Sequence, residues 1–152
     1  MKLFCTLMLL VCAPWALAAD GGVYPKERVA EFLVEKLDVT SLSSALRLKH
    51  EKGKKTFSDY GFVTQKAEDD ESVVESPNGG ARYTLRVLQQ GDSGIFVCFA
   101  QQSKDGNATS FQRVLLVKRK NASDLLKGRE SFREFSGCPE IGGAEGGSSS
   151  GY

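Results

Sequence analysis

His50, a run of three acids at residues 69–71 and four cysteines are the side chains of this sequence that could do chemistry. His50 is the only histidine, and an imidazole can shuttle a proton near neutral pH. Lys49 and Glu51 flank it at the end of an alternating stretch, so it reads as a solvated side chain. Serines and aspartates are plentiful, but no strand-to-helix elbow of the Gly-x-Ser-x-Gly kind presents an activated hydroxyl. Asp69, Asp70 and Glu71 are consecutive, whereas calcium takes ligands spaced around a loop. Zinc is no better served, because one histidine without a close cysteine pair is not a ligand set. No catalytic residue, no metal and no cofactor is expected, and the chain does not read as an enzyme.

Sulfur is left. Cys5 and Cys12 lie in a segment with the layout of a signal peptide: Lys2, an apolar run from Leu3 to Val11, and Ala16-Leu17-Ala18 as a small-x-small cleavage pattern. The run is too short for a comfortable membrane span, and no later segment approaches one. With residues 1–18 removed, the product is expected to be secreted and extracellular, and Cys98 and Cys138 are the cysteines that remain. Two cysteines on an oxidising route are expected to form a disulfide rather than stay as free thiols. Asn107-Ala-Thr and Asn121-Ala-Ser are glycosylation sequons that fit the same route, each in a stretch expected to be loop.

Charge narrows the partners. The chain has 20 Lys and Arg against 19 Asp and Glu, and removing Lys2 with the leader leaves 19 of each. A neutral chain offers no general attraction for nucleic acid or an anionic membrane. The clusters at residues 49–55 (basic) and 68–71 (acidic) read as solvated turns. The mature length suits one domain, expected over residues 19–141. Residues 142–152 are Gly/Ser-rich and expected to be a disordered tail.

The elements that must position the cysteines follow from periodicity. Residues 81–88, 94–100 and 111–118 read as strands, with a turn at 89–92 and a loop at 103–110. Tyr83, Leu85 and Val87 share one face of the first. In the second, Ile95, Val97 and Phe99 share a face, and Phe96, Cys98 and Ala100 share the other. Both faces of that strand are apolar, so it is expected to be covered on both sides. Upstream, Val29, Phe32, Leu33 and Leu37 recur at helical spacing, while Phe32-Leu33-Val34 could equally open a strand. Residues 45–50 alternate as a strand does, 51–54 form a turn, and 56–65 resemble the second arm of a hairpin. Residues 72–75 read as a short strand before a Ser76-Pro77-Asn78-Gly79-Gly80 turn. Residues 121–135 read as a helix, capped by Ser123 or Asp124, with Leu125, Phe132 and Phe135 on one face and Gly137 at its end. That face is expected to cover Phe96 and Ala100, with Cys98 and Cys138 locking it in place.

Two stretches carry a family resemblance: Phe111-Gln112-Arg113-Val114-Leu115-Leu116-Val117-Lys118-Arg119 and Ser131-Phe132-Arg133-Glu134-Phe135-Ser136-Gly137-Cys138. Together with Cys98 they resemble the end of a lipocalin, on the branch that holds apolipoprotein M, alpha-1-acid glycoprotein and the fish toxin-binding relatives. There a last barrel strand closes on an arginine, a helix follows, and its final cysteine bonds to a cysteine in an earlier strand. The resemblance implies a mainly β fold: an antiparallel lipocalin-like β-barrel with a C-terminal α-helix packed outside, and whether the short N-terminal half closes the barrel is left open. Seven strand-like runs stand where a closed lipocalin has eight, the family's Gly-x-Trp is missing, and Arg119 lacks its tryptophan. The implied function is a carrier, with a small hydrophobic ligand (lipid, steroid or toxin-like) inside the barrel and lipoprotein particles or a cell-surface receptor as further partners. The expected lining is Tyr83, Leu85, Val87, Ile95, Val97 and Phe99, with Leu46, Leu48, Phe57 and Phe62; the same residues would face inward in any packed barrel or sandwich. The alternative is an immunoglobulin-like recognition module, because Asp92-Ser93-Gly94-Ile95-Phe96-Val97-Cys98 is similar to the corner before the second sandwich cysteine. Residues 19–97 supply neither the partner cysteine nor the tryptophan that such a sandwich uses.

Overall fold

The computed structural model describes residues 23–46, 48–104 and 111–138. The leader, the Asn107 sequon and the Gly/Ser-rich tail lie outside the described residues. Helix α1 (Val29–Lys36) runs directly into β1 (Leu37–Asp38) and a single 3-10 turn, Val39–Ser41. An irregular stretch leads to β2 (Val63–Ala67) and β3 (Glu71–Glu75), then β4 (Ala81–Gly91), β5 (Gly94–Ser103), β6 (Phe111–Lys118) and β7 (Leu126–Glu130). The seven strands make one curled sheet, a half-barrel, in the order β1-β7-β6-β5-β4-β3-β2. Every pairing is antiparallel except β1 with β7. This is one continuous sheet, not two sheets face to face. No helix among the described residues is long and apolar enough to cross a membrane.

Alternation sets the register of the central strands. Leu85 lies opposite Phe99, Val97 opposite Leu115, and Ile95 opposite Val117, so each apolar row meets the next on the concave face. The β4–β5 turn is tighter than the sequence suggests: strand pairing reaches Gly91 and resumes at Gly94. Gly94 has φ +143°, and a Cβ there would lie 2.7 Å from the Val117 carbonyl oxygen, so a side chain is excluded. The ambiguity at residues 29–37 resolves as a helix, whose buried Val29, Ala30, Leu33 and Val34 form one stripe. That stripe packs on β3 and β4 and joins a single core with Leu37, Val39, Leu42, Leu46, Phe57 and the concave rows of the sheet. The helix and the irregular stretch together fill the concave side of the sheet.

Two expectations are corrected. The hairpin over residues 45–65 is absent: residues 44–46 turn, 48–50 are irregular, and strand begins only at Val63. Leu46 and Leu48 alternate because an irregular segment presses both onto the core, and the positive φ of Gly53 and Gly61 bends the segment back on itself. The helix over residues 121–135 is absent too. Residues 126–130 form β7, with Leu126 and Gly128 buried and Lys127, Arg129 and Glu130 exposed. Glycine disfavours a helix by about 1 kcal/mol relative to alanine. Here it lets β7 lie close against Leu42, whose Cδ2 would stand 2.7 Å from a Cβ on Gly128. Phe132, expected on the buried helix face, is 99% exposed.

Candidate functional site

The ten expected lining residues do come together. Leu46, Phe57, Tyr83, Leu85, Ile95, Val97 and Phe99 are buried in the concave core, and Leu48, Phe62 and Val87 pack against it half-buried. Phe57 is the hub: its ring lies 5.3 Å from Phe62, 5.6 Å from Tyr83 and 6.4 Å from Phe99. Tyr83 also meets Phe62 at 5.4 Å and Phe99 at 5.8 Å. Phe111 extends the stack to the rim, 6.4 Å from Phe99. The sequence reading missed Phe111, although it shares strand parity with the buried Leu115 and Val117. Burial pushes the Tyr83 phenol above the usual tyrosine range. Ser72, fully buried in β3 opposite Leu85, has a hydroxyl without a hydrogen-bond partner in this apolar setting.

Residues 42–46 and 48–62 cover the aromatic cluster. Lys55 N and Thr56 N donate to the Asp59 carboxylate at 2.9 and 2.8 Å. These backbone donors, Thr56 first, hold the Asp59 carboxyl below the ordinary carboxylate range. Phe62 N donates to Phe57 O, and Tyr60 Oη to Lys49 O, so the cover is tied largely to itself. Among the described residues its backbone reaches the rest of the fold through Val39 N, which donates to Lys55 O at 2.8 Å. Buried Leu42, Leu46 and Phe57 do most of the anchoring.

Sulfur clasps the convex side. Cys98 and Cys138 are bonded, with Cα atoms 5.4 Å apart. The segment they pin is irregular rather than helical, and it covers β5 through Phe135, 4.9 Å from the Phe96 ring, with the Arg133 guanidinium 5.3 Å from both rings. Arg119 is stacked on two rings near the N-terminal end of the described residues. Its guanidinium lies 4.7 Å from the Phe32 ring and 5.9 Å from Tyr24, and it donates to the carbonyls of Val23 and Ala122. Asn121, the described sequon, is exposed and donates to Asp124.

The acidic run has structural work. The carbonyls of Asp69 and Asp70 accept from Ala30 N and Val87 N. Glu71 accepts from Lys66 at 2.9 Å and Arg86 at 2.7 Å; the Lys66 bond in particular holds its carboxyl low, against the opposing effect of burial. No group of three His, Cys, Asp or Glu among the described residues is placed to hold a metal. His50 is exposed beside Lys49. The surface cavities include a groove of about 570 Å³ along the pinned segment and a cleft of about 610 Å³ at the β6–β7 end of the sheet. No protein-family model matches this chain, and no curated protein and no solved structure matches it either.

Proposed function

We propose that the protein is a secreted, non-enzymatic carrier of a small hydrophobic molecule, built as a divergent lipocalin-like half-barrel. One observation carries the reading: the aromatic cluster of the concave face is covered by an irregular segment, not by sheet or helix. The rings fill the interior, so a guest must take the place of the cover's side chains, Phe57 above all. Lifting one such residue out of the core costs about 2–3 kcal/mol, whereas each methylene buried in its place contributes about 0.8 kcal/mol. The space one side chain vacates returns about what was lost, so a lipid-sized chain gains only as more of the cover lifts with it. Buried Ser72 Oγ offers a polar guest one hydrogen bond. The clasp from β5 to the C-terminal segment and the stacking of Arg119 on N-terminal rings support the lipocalin kinship.

Native mass spectrometry of protein secreted from a eukaryotic host tests this. A retained lipid-sized mass, or saturable uptake of a fluorescent fatty acid, is the expected result. Phe57→Ala, which vacates the hub, should strengthen uptake relative to wild type. A clean apo mass and no uptake by either protein would end the carrier reading.

A further inference from the structure

We propose that the cleft at the β6–β7 end of the sheet binds a compact polyanion, a molecule bearing two or more phosphate or sulfate groups. The inference is independent of what the interior holds.

Lys118 ends β6 and lies directly opposite Lys127 of β7. Val117 and Leu126, their neighbours in sequence, are buried in the core, so both lysines project from the convex face. Like charges in directly opposed positions destabilise a strand pair. Lys55 and Lys120 add two further ammonium groups to the lining of the same cleft, whose volume is about 610 Å³. Among the described residues none of these four groups has an ion-pair partner, whereas Lys54, Lys66 and Lys104 each have one.

The other charged groups in the lining are already engaged. Asp38 accepts from Thr40 N at 3.0 Å and Thr40 Oγ1 at 2.6 Å. Asp124 accepts from Asn121 N and Nδ2 at 3.2 and 3.1 Å. Arg119 is stacked on Phe32 and bonded to carbonyls. In a chain with nearly balanced charge, five cations against the two carboxylates of Asp38 and Asp124 leave the lining of this concavity with an excess of three positive charges, which a multivalent oxyanion would neutralise. Leu125 gives the cleft an apolar wall, which suits an organic scaffold more than a bare ion. The phosphate or sulfate groups could sit on a free small molecule or on the end of a sulfated sugar chain.

Thermal unfolding of the full chain at low salt, with sodium tripolyphosphate or a heparin-derived octasaccharide, tests the proposal. At least one probe should raise Tm by several degrees, with an effect that fades as NaCl screens it. Tripolyphosphate alone points to a small phosphorylated molecule, and the octasaccharide alone to a sulfated glycan. Lys118→Ala with Lys127→Ala should abolish the shift and leave the unliganded protein no less stable than wild type. Lys49→Ala with Lys52→Ala, which removes two lysines that do not line the cleft, should keep the shift. Absence of a shift with both probes, or a shift that survives loss of Lys118 and Lys127, overturns the proposal.

Discussion

At the scale of single residues, polar groups in half-buried places decide most. Glu71 receives Lys66 and Arg86 on a side chain that is only 12% exposed. Its carboxyl titrates below the ordinary range in the folded protein, so folding favours the ionised form. The stability this contributes is complete above the unfolded pKa, near 4.3, and is lost as pH falls through the lower folded value. Glu71→Gln should therefore be less stable than wild type by about 1 kcal/mol at neutral pH. The gap should hold constant down to about pH 5 and close below about pH 4, as urea titrations at several pH values would reveal. Ser72 presents the opposite case. Its buried hydroxyl has no partner, and an unmade hydrogen bond of this kind costs roughly 1–3 kcal/mol. Ser72→Ala should consequently raise the midpoint of denaturation, whereas most core truncations lower it. A lowered midpoint would mean that the hydroxyl is satisfied, by water or by a retained guest.

At the scale of elements, the sulfur clasp replaces the docking energy of a helix that does not form. The segment it pins offers Phe135 and Arg133 to the outer face of β5 while Phe132 stays exposed, so little apolar area holds it there. The bridge spans 40 residues, and in the chain-entropy model such a closure is worth about 4 kcal/mol. Cys98→Ala with Cys138→Ala should lose about that much, with the change seen first as fast hydrogen exchange in residues 131–138. Peptide mapping without reductant should recover Cys98 joined to Cys138. Strands β4, β5 and β6 were legible in the sequence because residues 81–88, 94–100 and 111–118 are apolar-rich runs bounded by turn residues, and because Asp92-Ser93-Gly94 marks the turn. Strand β7 was not, because Leu125, Phe132 and Phe135 fall at helical spacing while Leu126 and Gly128 fall at period two. Pairing with β6 and β1 decides between them, and the Leu37 partner of Leu126 in β1 lies 89 residues away in the chain. The expected lining was legible as a set of inward-facing residues. What covers it was not, since the alternation of Leu46 and Leu48 carries no trace of the irregular path that places them.

At the scale of the whole molecule, a half-barrel keeps two open edges that a closed barrel would not have. Strand β1 is two residues long, too short to template a neighbour. Strand β2 is the exposed liability: all five of its residues face solvent, and Val63 is 56% exposed. Two features blunt it. The ladder to β3 slips between Thr64 and Lys66, which bends the edge, and Lys66 carries a charge held by Glu68 at 3.0 Å and Glu71 at 2.9 Å. An incoming strand would have to strip that charge of water while gaining only part of a ladder. Lys66→Val removes the charge and leaves Val63-Thr-Gln-Val-Ala, a β-prone edge without a gatekeeper. The variant should associate in proportion to its concentration, detectable by light scattering after size-exclusion chromatography, while wild type stays monomeric. Lys66→Glu separates the two possible causes. It also breaks the pair with Glu71 but keeps an edge charge, so it should lose stability and remain monomeric. If Lys66→Glu associates as readily as Lys66→Val, the ion pair rather than the edge charge keeps the half-barrel apart from its copies.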